Sequence, residues 1–322
     1  MTLSGYGQEF TIKFATVAPE GSTWMNIMRE YDATIRKESG GRVGFRVYAG
    51  QVMGDESAVL RKIRVGQLQA GGFTGVGLGD VAPMVRILDT PFLVHSPDET
   101  DYLTETFGKE FEAAFEEGGY ILLGWAEVGF VHVFTKKKIS KPEDLSTLKM
   151  WTWEGDPVAA AAFSALDMNP IPLSITDVYS SLQTGLIDAF YTPPLAALAL
   201  QWFTQVKYVV SVPLANSAGA VLLSKRYFDK MPKDLQEIVL RNGRKYMAEL
   251  TTLSRQDNAK AMETLVRQGI EKIPVEAKDL GKYVNAGEEA RQALAGKMYS
   301  KQFLERVEQA LRSYRAEHGA SR

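Results

Sequence analysis

The sequence predicts an α/β protein with two lobes, and three observations carry this prediction. Strand and helix patterns alternate from Phe10 to Gly72, which is typical of a sheet flanked by helices. Two apolar, β-rich runs then follow each other closely around residues 125–129, which indicates a lobe boundary or a crossover. An apolar stripe at helical spacing continues from Pro232 to Gln268, long enough for one helix to bridge both lobes.

The elements of the first lobe are predicted in chain order. Phe10–Ala15 alternates as a strand and ends at a polar turn, after which Ser22 is placed to cap a helix. The elements that follow are a glycine stop at Gly40-Gly41, a strand at Val43–Tyr48, a helix over residues 55–65 and a short strand over residues 68–72. This alternation predicts a largely parallel sheet.

The second lobe is predicted from similar patterns. Leu148–Trp153 is a strand, and Asp156 before Pro157 is an N-cap before a proline that suits the first helical position. Further elements are a helix over residues 175–184, a strand over residues 186–191 and charged helices over residues 279–318. The lobes are assigned as residues 1–127 plus 213–250 and residues 128–212 plus 251–322, with the helix 232–268 bridging them.

Composition excludes several classes of protein. The 322 residues are 45% hydrophobic and 24% charged, as expected for a folded globular chain, and the net charge of −2 argues against nucleic-acid binding. The absence of cysteine removes disulfides, thiolate metal sites and cysteine nucleophiles. No stretch approaches the roughly 18 apolar residues of a membrane helix, so no direct membrane insertion is expected. Residues 1–9 lack the pattern of an export signal.

Several short motifs, in order across about 250 residues, resemble the DctP-type solute-binding subunits of tripartite ATP-independent periplasmic (TRAP) transporters. They are Gly40–Val43 (GGRV), Ala49–Gly54 (AGQVMG), Ile63–Leu68 (IRVGQL), Thr90–Leu93 (TPFL), Lys141–Leu145 (KPEDL) with Leu148-Lys149, Leu182–Ala189 (LQTGLIDA), and Ser224–Phe228 (SKRYF) with Met231-Pro232. The resemblance implies a two-lobe periplasmic binding protein fold, with mixed sheets, a hinge, a ligand cleft and a long lobe-spanning helix.

The resemblance also implies function. Proteins of this family close around a small-molecule ligand and deliver it to the membrane permease subunits of an ion-driven importer, so the expectation is a periplasmic binding protein that is not an enzyme. The export signal would then be absent from this sequence. One alternative is an extracytoplasmic ligand-sensing subunit of a signalling system. The other is an enzyme, for which the sequence offers no convincing acid/base or nucleophile constellation.

The expected ligand differs from that of many relatives because two arginines are missing. Family members usually hold an organic acid through the arginine of a Leu-Lys-Ile-Arg run, but here that position is Trp151, and a second arginine is absent at Val131. Trp151 and Trp153 are two apart on a strand, so both indoles face one side and offer ring surface and N–H donors. We predict an organic acid with an apolar or aromatic portion rather than a simple C4-dicarboxylate. The alternative is that both indoles pack into the core.

Other candidate contacts surround this strand. Glu154 either accepts a hydrogen bond from the ligand or faces solvent, whereas Asp156 is interpreted as a helix cap. In relatives a Gln-Glu-Asn run occupies the positions of Phe190, Tyr191 and Thr192, and its asparagine touches the ligand. Thr192 keeps a hydrogen-bonding group, while Phe190 is divided between pocket and core. No carboxylate stands where some relatives bind a metal, so no metal and no cofactor are predicted.

From the first lobe, Trp24 and Thr74 are predicted contacts. Trp24 follows the turn at Pro19–Ser22, and Thr74 lies in the glycine-rich run Gly71–Gly79, which matches neither G-x-G-x-x-G nor a P-loop. The predicted ligand contacts are therefore Trp24, Thr74, Trp151, Trp153, Glu154, Phe190, Tyr191 and Thr192. His132, Asn216 and Ser217 remain open as further contacts.

Overall fold

A computed structural model describes residues 9–319. Residues 1–8, in which no export signal is expected, lie outside the described residues. The strands are β1 (Phe10–Thr16), β2 (Val43–Tyr48), β3 (Ala70–Thr74), β4 (Tyr120–Trp125), β5 (Gly129–Thr135), β6 (Trp151–Trp153), β7 (Ile171–Leu173), β8 (Ala189–Thr192), β9 (Tyr208–Val210), β10 (Ala215–Ser217), β11 (Gly219–Ser224) and β12 (Glu271–Ile273).

The helices alternate with these strands through most of the chain. They are α1 (Thr23–Glu38), α2 (Glu56–Arg64), α3 (Gly75–Gly79), α4 (Pro97–Thr106), α5 (Gly108–Glu117), α6 (Pro157–Ala165), α7 (Val178–Thr184), α8 (Pro194–Ala199), α9 (Lys225–Phe228), α10 (Lys233–Arg267), α11 (Ala277–Leu294) and α12 (Lys301–His318), with 3-10 turns at Pro83–Asp89, Pro142–Thr147, Ile175–Asp177 and Trp202–Gln205. None of the described helices combines the length and the apolar character needed to cross a membrane.

The first unit contains the described residues as far as Val81, with Glu112–Glu127 and Gly219–Arg255. Its five strands are ordered β2-β1-β3-β11-β4. β1 pairs parallel to β2 and β3, as the alternation predicts, but β11 pairs antiparallel to β3 and β4. The sheet is therefore mixed, because β11 returns from late in the chain without a β-α-β crossover. Its core joins β1, α1 and the first part of α10.

The second unit contains Ala82–Phe111, Val128–Ala218 and the described residues from Gln256 onward. Four of its strands are ordered β10-β5-β9-β12, and β8 also pairs antiparallel with β5. β6 and β7 form a separate parallel pair, and a bridge between Met150 and Ala189 connects the start of β6 to β8. The core of this unit joins β5, β8, α6 and α11.

The unit boundaries differ from the predicted lobes over residues 82–111 and 213–218, which the structure groups with the second unit, and over residues 251–255, which it groups with the first. Two long-range hydrogen bonds explain this grouping. The backbone N–H of Phe92 donates to the Leu214 carbonyl, and the carboxylate of Asp89 accepts from the Ala218 N–H, both on the β10 side of the sheet. The chain passes between units at Glu127–Val128, inside the predicted segment 125–129.

The long helical pattern forms one continuous helix, α10, of 35 residues. Its interior glycine, Gly243, faces β4 at very short range, since a Cβ there would lie 2.7 Å from the Leu123 carbonyl oxygen. The glycine therefore permits close packing of helix on sheet. Residues of α10 up to Arg255 belong to the first unit, and those from Gln256 belong to the second.

Candidate ligand-binding site

Seven aromatic side chains of the second unit form a continuous cluster. Its members are Phe134, Trp151, Trp153, Phe163, Phe190, Tyr191 and Trp202. Trp151 is central, with ring centroids 5.2 Å from Tyr191, 5.4 Å from Trp202 and 5.8 Å from Trp153. These stacked and edge-on geometries are the favourable ones for ring pairs. We call this set the aromatic cluster.

Trp151 and Trp153 do lie side by side, but Trp151 is only 2% exposed and its indole N–H is already used. Nε1 donates to the Leu173 carbonyl oxygen on β7 at 3.0 Å. The expectation that this N–H is available to a ligand is therefore wrong for this structure. The bond fixes the ring instead, and the burial of Trp151 among three other rings favours the alternative that this indole packs into the core of the unit.

Strand alternation separates the predicted contacts on β8. The register sets His132 opposite Thr192 and Phe134 opposite Phe190, and opposed residues point to the same face of a sheet. Phe190 and Thr192 therefore share one face, while Tyr191 points to the other. Phe190 is fully buried between Phe134 and Trp202, which favours its core interpretation.

Trp202 was missed by sequence reasoning, although it joins the two halves of the aromatic cluster. Its ring lies edge-on to both Trp151 and Phe190, at 5.4 and 5.3 Å. It is the first residue of the 3-10 turn Trp202–Gln205, which follows α8 and is preceded by Gln201 with a φ of +60°. A tryptophan in a polar turn was the available signal, because so large an apolar side chain is seldom left exposed there.

A buried charge cluster lies beside the aromatic cluster and was also missed. The guanidinium of Arg86 is 4% exposed; its Nη2 lies 2.9 Å from Asp156 Oδ1, and its Nε lies 2.8 Å from Asp89 Oδ2. Asp156 also caps α6 by accepting from the Val158 N–H at 3.0 Å, as predicted. One arginine is thus balanced by two carboxylates, and we call Arg86, Asp89 and Asp156 the charge cluster.

Burial shapes the acid–base properties of this region. Burial raises the pKa of Asp89 to about 6, although Arg86 and the Ala218 N–H oppose the shift. Burial alone would lower the pKa of Arg86, but the carboxylates of Asp156 and Asp89 reverse this and raise it. The pKa of Tyr191 is raised by burial and by the nearby Asp156 charge. Arg86 therefore stays charged, and the pKa of Asp89 is about 6.

The remaining second-unit candidates have simpler surroundings. The Glu154 side chain is exposed, and its backbone N–H donates to the Leu173 carbonyl at 3.3 Å. Thr192 is half-buried. His132 Nδ1 lies 2.9 Å from the Val210 carbonyl oxygen, and burial lowers the pKa of the ring, so His132 is neutral with Nε2 as an acceptor.

In the first unit, Thr74 is engaged within the protein. Its hydroxyl donates to Glu56 Oε2 at 3.1 Å and also caps α3 by accepting from the Val76 N–H at 3.3 Å. Glu56, which is 1% exposed, further accepts from the backbone N–H groups of Thr74 and Gly77 at 2.8 Å. These bonds shape the glycine-rich turn. Trp24 is half-buried against the first-unit core.

Known proteins resemble this chain in sequence and in fold. A family model described as DctP, bacterial extracellular solute-binding protein, family 7, matches residues 14–302. A solute-binding protein of Verminephrobacter eiseniae is 27% identical over 73% of this chain and 71% of its own length. The 2,3-diketo-L-gulonate-binding periplasmic protein YiaO of Escherichia coli is 23% identical over 76% of this chain and 75% of its own.

Solved structures match almost the whole chain. The sugar acid binding protein DctPAm of Advenella mimigardefordensis, in complex with galactonate, has a TM-score of 0.89 and 19% identity, covering 95% of this chain and 99% of its own. A TRAP periplasmic solute binding protein of Desulfovibrio salexigens with bound orotic acid has a TM-score of 0.86 and 18% identity, covering 93% and 98%. DctP7 of Bordetella pertussis, which binds pyroglutamic acid, has a TM-score of 0.86 and 19% identity, covering 94% and 99%.

Proposed function

Because the chain belongs to family 7 of the bacterial extracellular solute-binding proteins, the DctP family, and is a binding protein rather than an enzyme, we propose that it captures an organic acid for TRAP import. In this proposal it works in the periplasm and hands its ligand to membrane permease subunits. The ligands of similar proteins include galactonate, orotate and pyroglutamate, which are all organic acids.

The type of ligand is inferred from one observation, the aromatic cluster around Trp151. A fixed indole stands where the family resemblance expects a carboxylate-binding arginine, and its ring packs against Tyr191 and Trp202. Ring surface favours a ligand with an apolar or aromatic portion through stacking and burial of apolar area. We therefore propose that the ligand is an acid carrying such a portion rather than a simple C4-dicarboxylate.

A thermal-shift panel tests this proposal. The protein is unfolded and refolded to remove bound ligand, then screened with orotate, pyroglutamate, D-glucuronate and succinate. We expect the acids with apolar or aromatic rings to raise the melting temperature most, since ligands that bind only the folded state stabilise it. The absence of any shift with a broad set of acids would refute the binding function. Equal shifts with succinate would refute the ring preference alone.

A matched pair of threonine variants examines the site itself. If the Thr192 hydroxyl hydrogen-bonds the ligand, Thr192→Ala should weaken affinity about fivefold to tenfold. Thr184→Ala, in α7 of the same unit, removes an exposed hydroxyl that bonds only its own helix and should leave affinity unchanged. Isothermal titration of both variants separates a ligand contact from a general effect of losing a threonine. Equal affinities would remove Thr192 from the site.

A further inference from the structure

Asn216, on β10, carries a buried side-chain amide. The side chain is 0% exposed, and neither Oδ1 nor Nδ2 has a hydrogen-bond partner among the described residues. Folded proteins pair nearly all buried side-chain polar groups, so an amide with both ends unpaired calls for an explanation. One explanation is that a ligand supplies the missing donor and acceptor.

The sheet register connects Asn216 with the proposed ligand contacts. Asn216 is opposite Phe130 on β5, and His132, two residues further along β5, is opposite Thr192. Since opposed residues and residues two apart share a face, Asn216 and Thr192 lie on the same face of the sheet. Phe190, which contacts Trp202 of the aromatic cluster, also lies on that face.

The chemistry of the amide narrows the group that fits it. An asparagine side chain presents one acceptor and one donor group side by side. A carboxylate has only acceptors and would leave Oδ1 unpaired. The charge cluster does not supply a free cation for a ligand group, because the guanidinium of Arg86 already faces the two carboxylates of Asp89 and Asp156. A cyclic amide holds its N–H and C=O next to each other, and therefore satisfies both ends of Asn216 at once.

We propose that Asn216 is a specificity-determining residue that recognises a lactam or imide group on the ligand. Nδ2 donates to the ligand carbonyl oxygen, and Oδ1 accepts from the adjacent ligand N–H. The ring that carries this group lies against the aromatic cluster. This inference rests on the proposed function and deepens it, since it names the substrate class as ring acids with a cyclic amide.

The test compares pyroglutamate with 5-oxotetrahydrofuran-2-carboxylate, in which a ring oxygen replaces the N–H. Isothermal titration of the ligand-free protein should give about a tenfold or greater preference for the lactam, because the lactone leaves Oδ1 unpaired. Asn216→Leu should reduce that preference to about onefold. Thr184→Ala, which removes an exposed hydroxyl that bonds only its own helix, serves as the control and should retain it.

A second measurement distinguishes a ligand contact from a structural role. Asn216→Leu keeps a similar volume and removes an unpaired amide, so the melting temperature of the ligand-free protein should rise. A lower melting temperature would overturn the inference. Equal binding of lactam and lactone, a preference that survives in Asn216→Leu, or binding of other acids without either probe would also overturn it. If no acid of any class binds, the proposed function itself fails.

Discussion

At the scale of single residues, Trp151 combines three ring contacts with an indole N–H bonded to the Leu173 carbonyl. Trp151→Ala would leave a cavity and remove one of the two hydrogen bonds that the Leu173 carbonyl accepts, and we expect the free energy of unfolding to fall by about 3–5 kcal/mol. Urea denaturation measures this loss. Glu154→Ala, three residues away and exposed, should change stability by less than about 0.5 kcal/mol. A loss below 1 kcal/mol for Trp151→Ala would contradict the packing described here.

Asp89 gives stability a dependence on pH. Its pKa in the folded chain is raised to about 6 from an ordinary 3.8, chiefly by burial. Between these values the folded state holds a proton that the unfolded state has lost, so unfolding releases that proton. The corresponding stability is fully present below about pH 4 and is lost as the pH rises through about 6.

Asp89→Asn isolates this contribution because the asparagine cannot ionise but keeps an oxygen for the Ala218 N–H. The natural chain loses the Asp89 contribution as the pH rises, and the variant does not. The free energy of unfolding of the variant minus that of the natural chain should therefore increase by about 1–3 kcal/mol from pH 4 to pH 7. Urea denaturation at both pH values checks the difference. A difference that stays constant across this range would show that Asp89 titrates at its ordinary pKa.

Sequence reasoning reached some of these residues and not others, for a physical reason. The contact of Trp151 with Trp153 and the cap formed by Asp156 depend on neighbours in sequence, and both were predicted. The ion pair of Asp156 with Arg86 joins positions 70 apart, and the bond from Trp151 to Leu173 crosses two strands. Nothing in local periodicity reports such pairings, so they appear only in the folded chain.

At the scale of elements, Gly243 in α10 and Gly281 in α11 are interior helix glycines with opposite surroundings. A Cβ at Gly243 would lie 2.7 Å from the Leu123 carbonyl oxygen, whereas a Cβ at Gly281 meets nothing within 4 Å. Alanine favours a helix by about 1 kcal/mol over glycine at either position. Only at Gly243 does overpacking oppose this gain, by about 1–3 kcal/mol or more.

The two substitutions should therefore change stability in opposite directions. Gly281→Ala should raise the free energy of unfolding by about 0.5–1 kcal/mol, while Gly243→Ala should lower it by about 1 kcal/mol or more. Chemical denaturation of each single variant gives the comparison. Stabilisation by both alanines would mean that α10 does not pack on β4 as closely as described.

Element boundaries were predicted best where a cap marks them. Ser22 begins α1 by accepting from the Met25 N–H, as its position before an apolar stripe predicted. The strand predicted over residues 186–191 begins later, at Ala189, because Asp188 turns its carboxylate to the Lys149 N–H. The 3-10 turn at Pro83–Asp89 lacks a periodic pattern, and sequence reasoning did not find it.

At the scale of the whole molecule, the α/β class and the family were predictable, while strand direction and unit membership were less so. Motifs spread along the chain predicted the family, and the family match over residues 14–302 confirms this prediction. The antiparallel strand β11 and the grouping of residues 82–111 depend on returns of the chain across long sequence separations. The local alternation of strand and helix patterns predicts individual elements, and it contains no information about which distant elements pair with one another.

Ligand binding should appear as a property of the whole folded chain. An acid that binds only the folded state raises the free energy of unfolding with the logarithm of its concentration, by about 2.7 kcal/mol at 100 times Kd. Urea denaturation over a concentration series of the best ligand from the thermal panel measures this dependence. Sodium chloride at equal ionic strength is the control, because screening of the mostly exposed ion pairs should contribute little. A stabilisation equal to that of the salt would mean that the acid acts as an electrolyte and does not occupy a site.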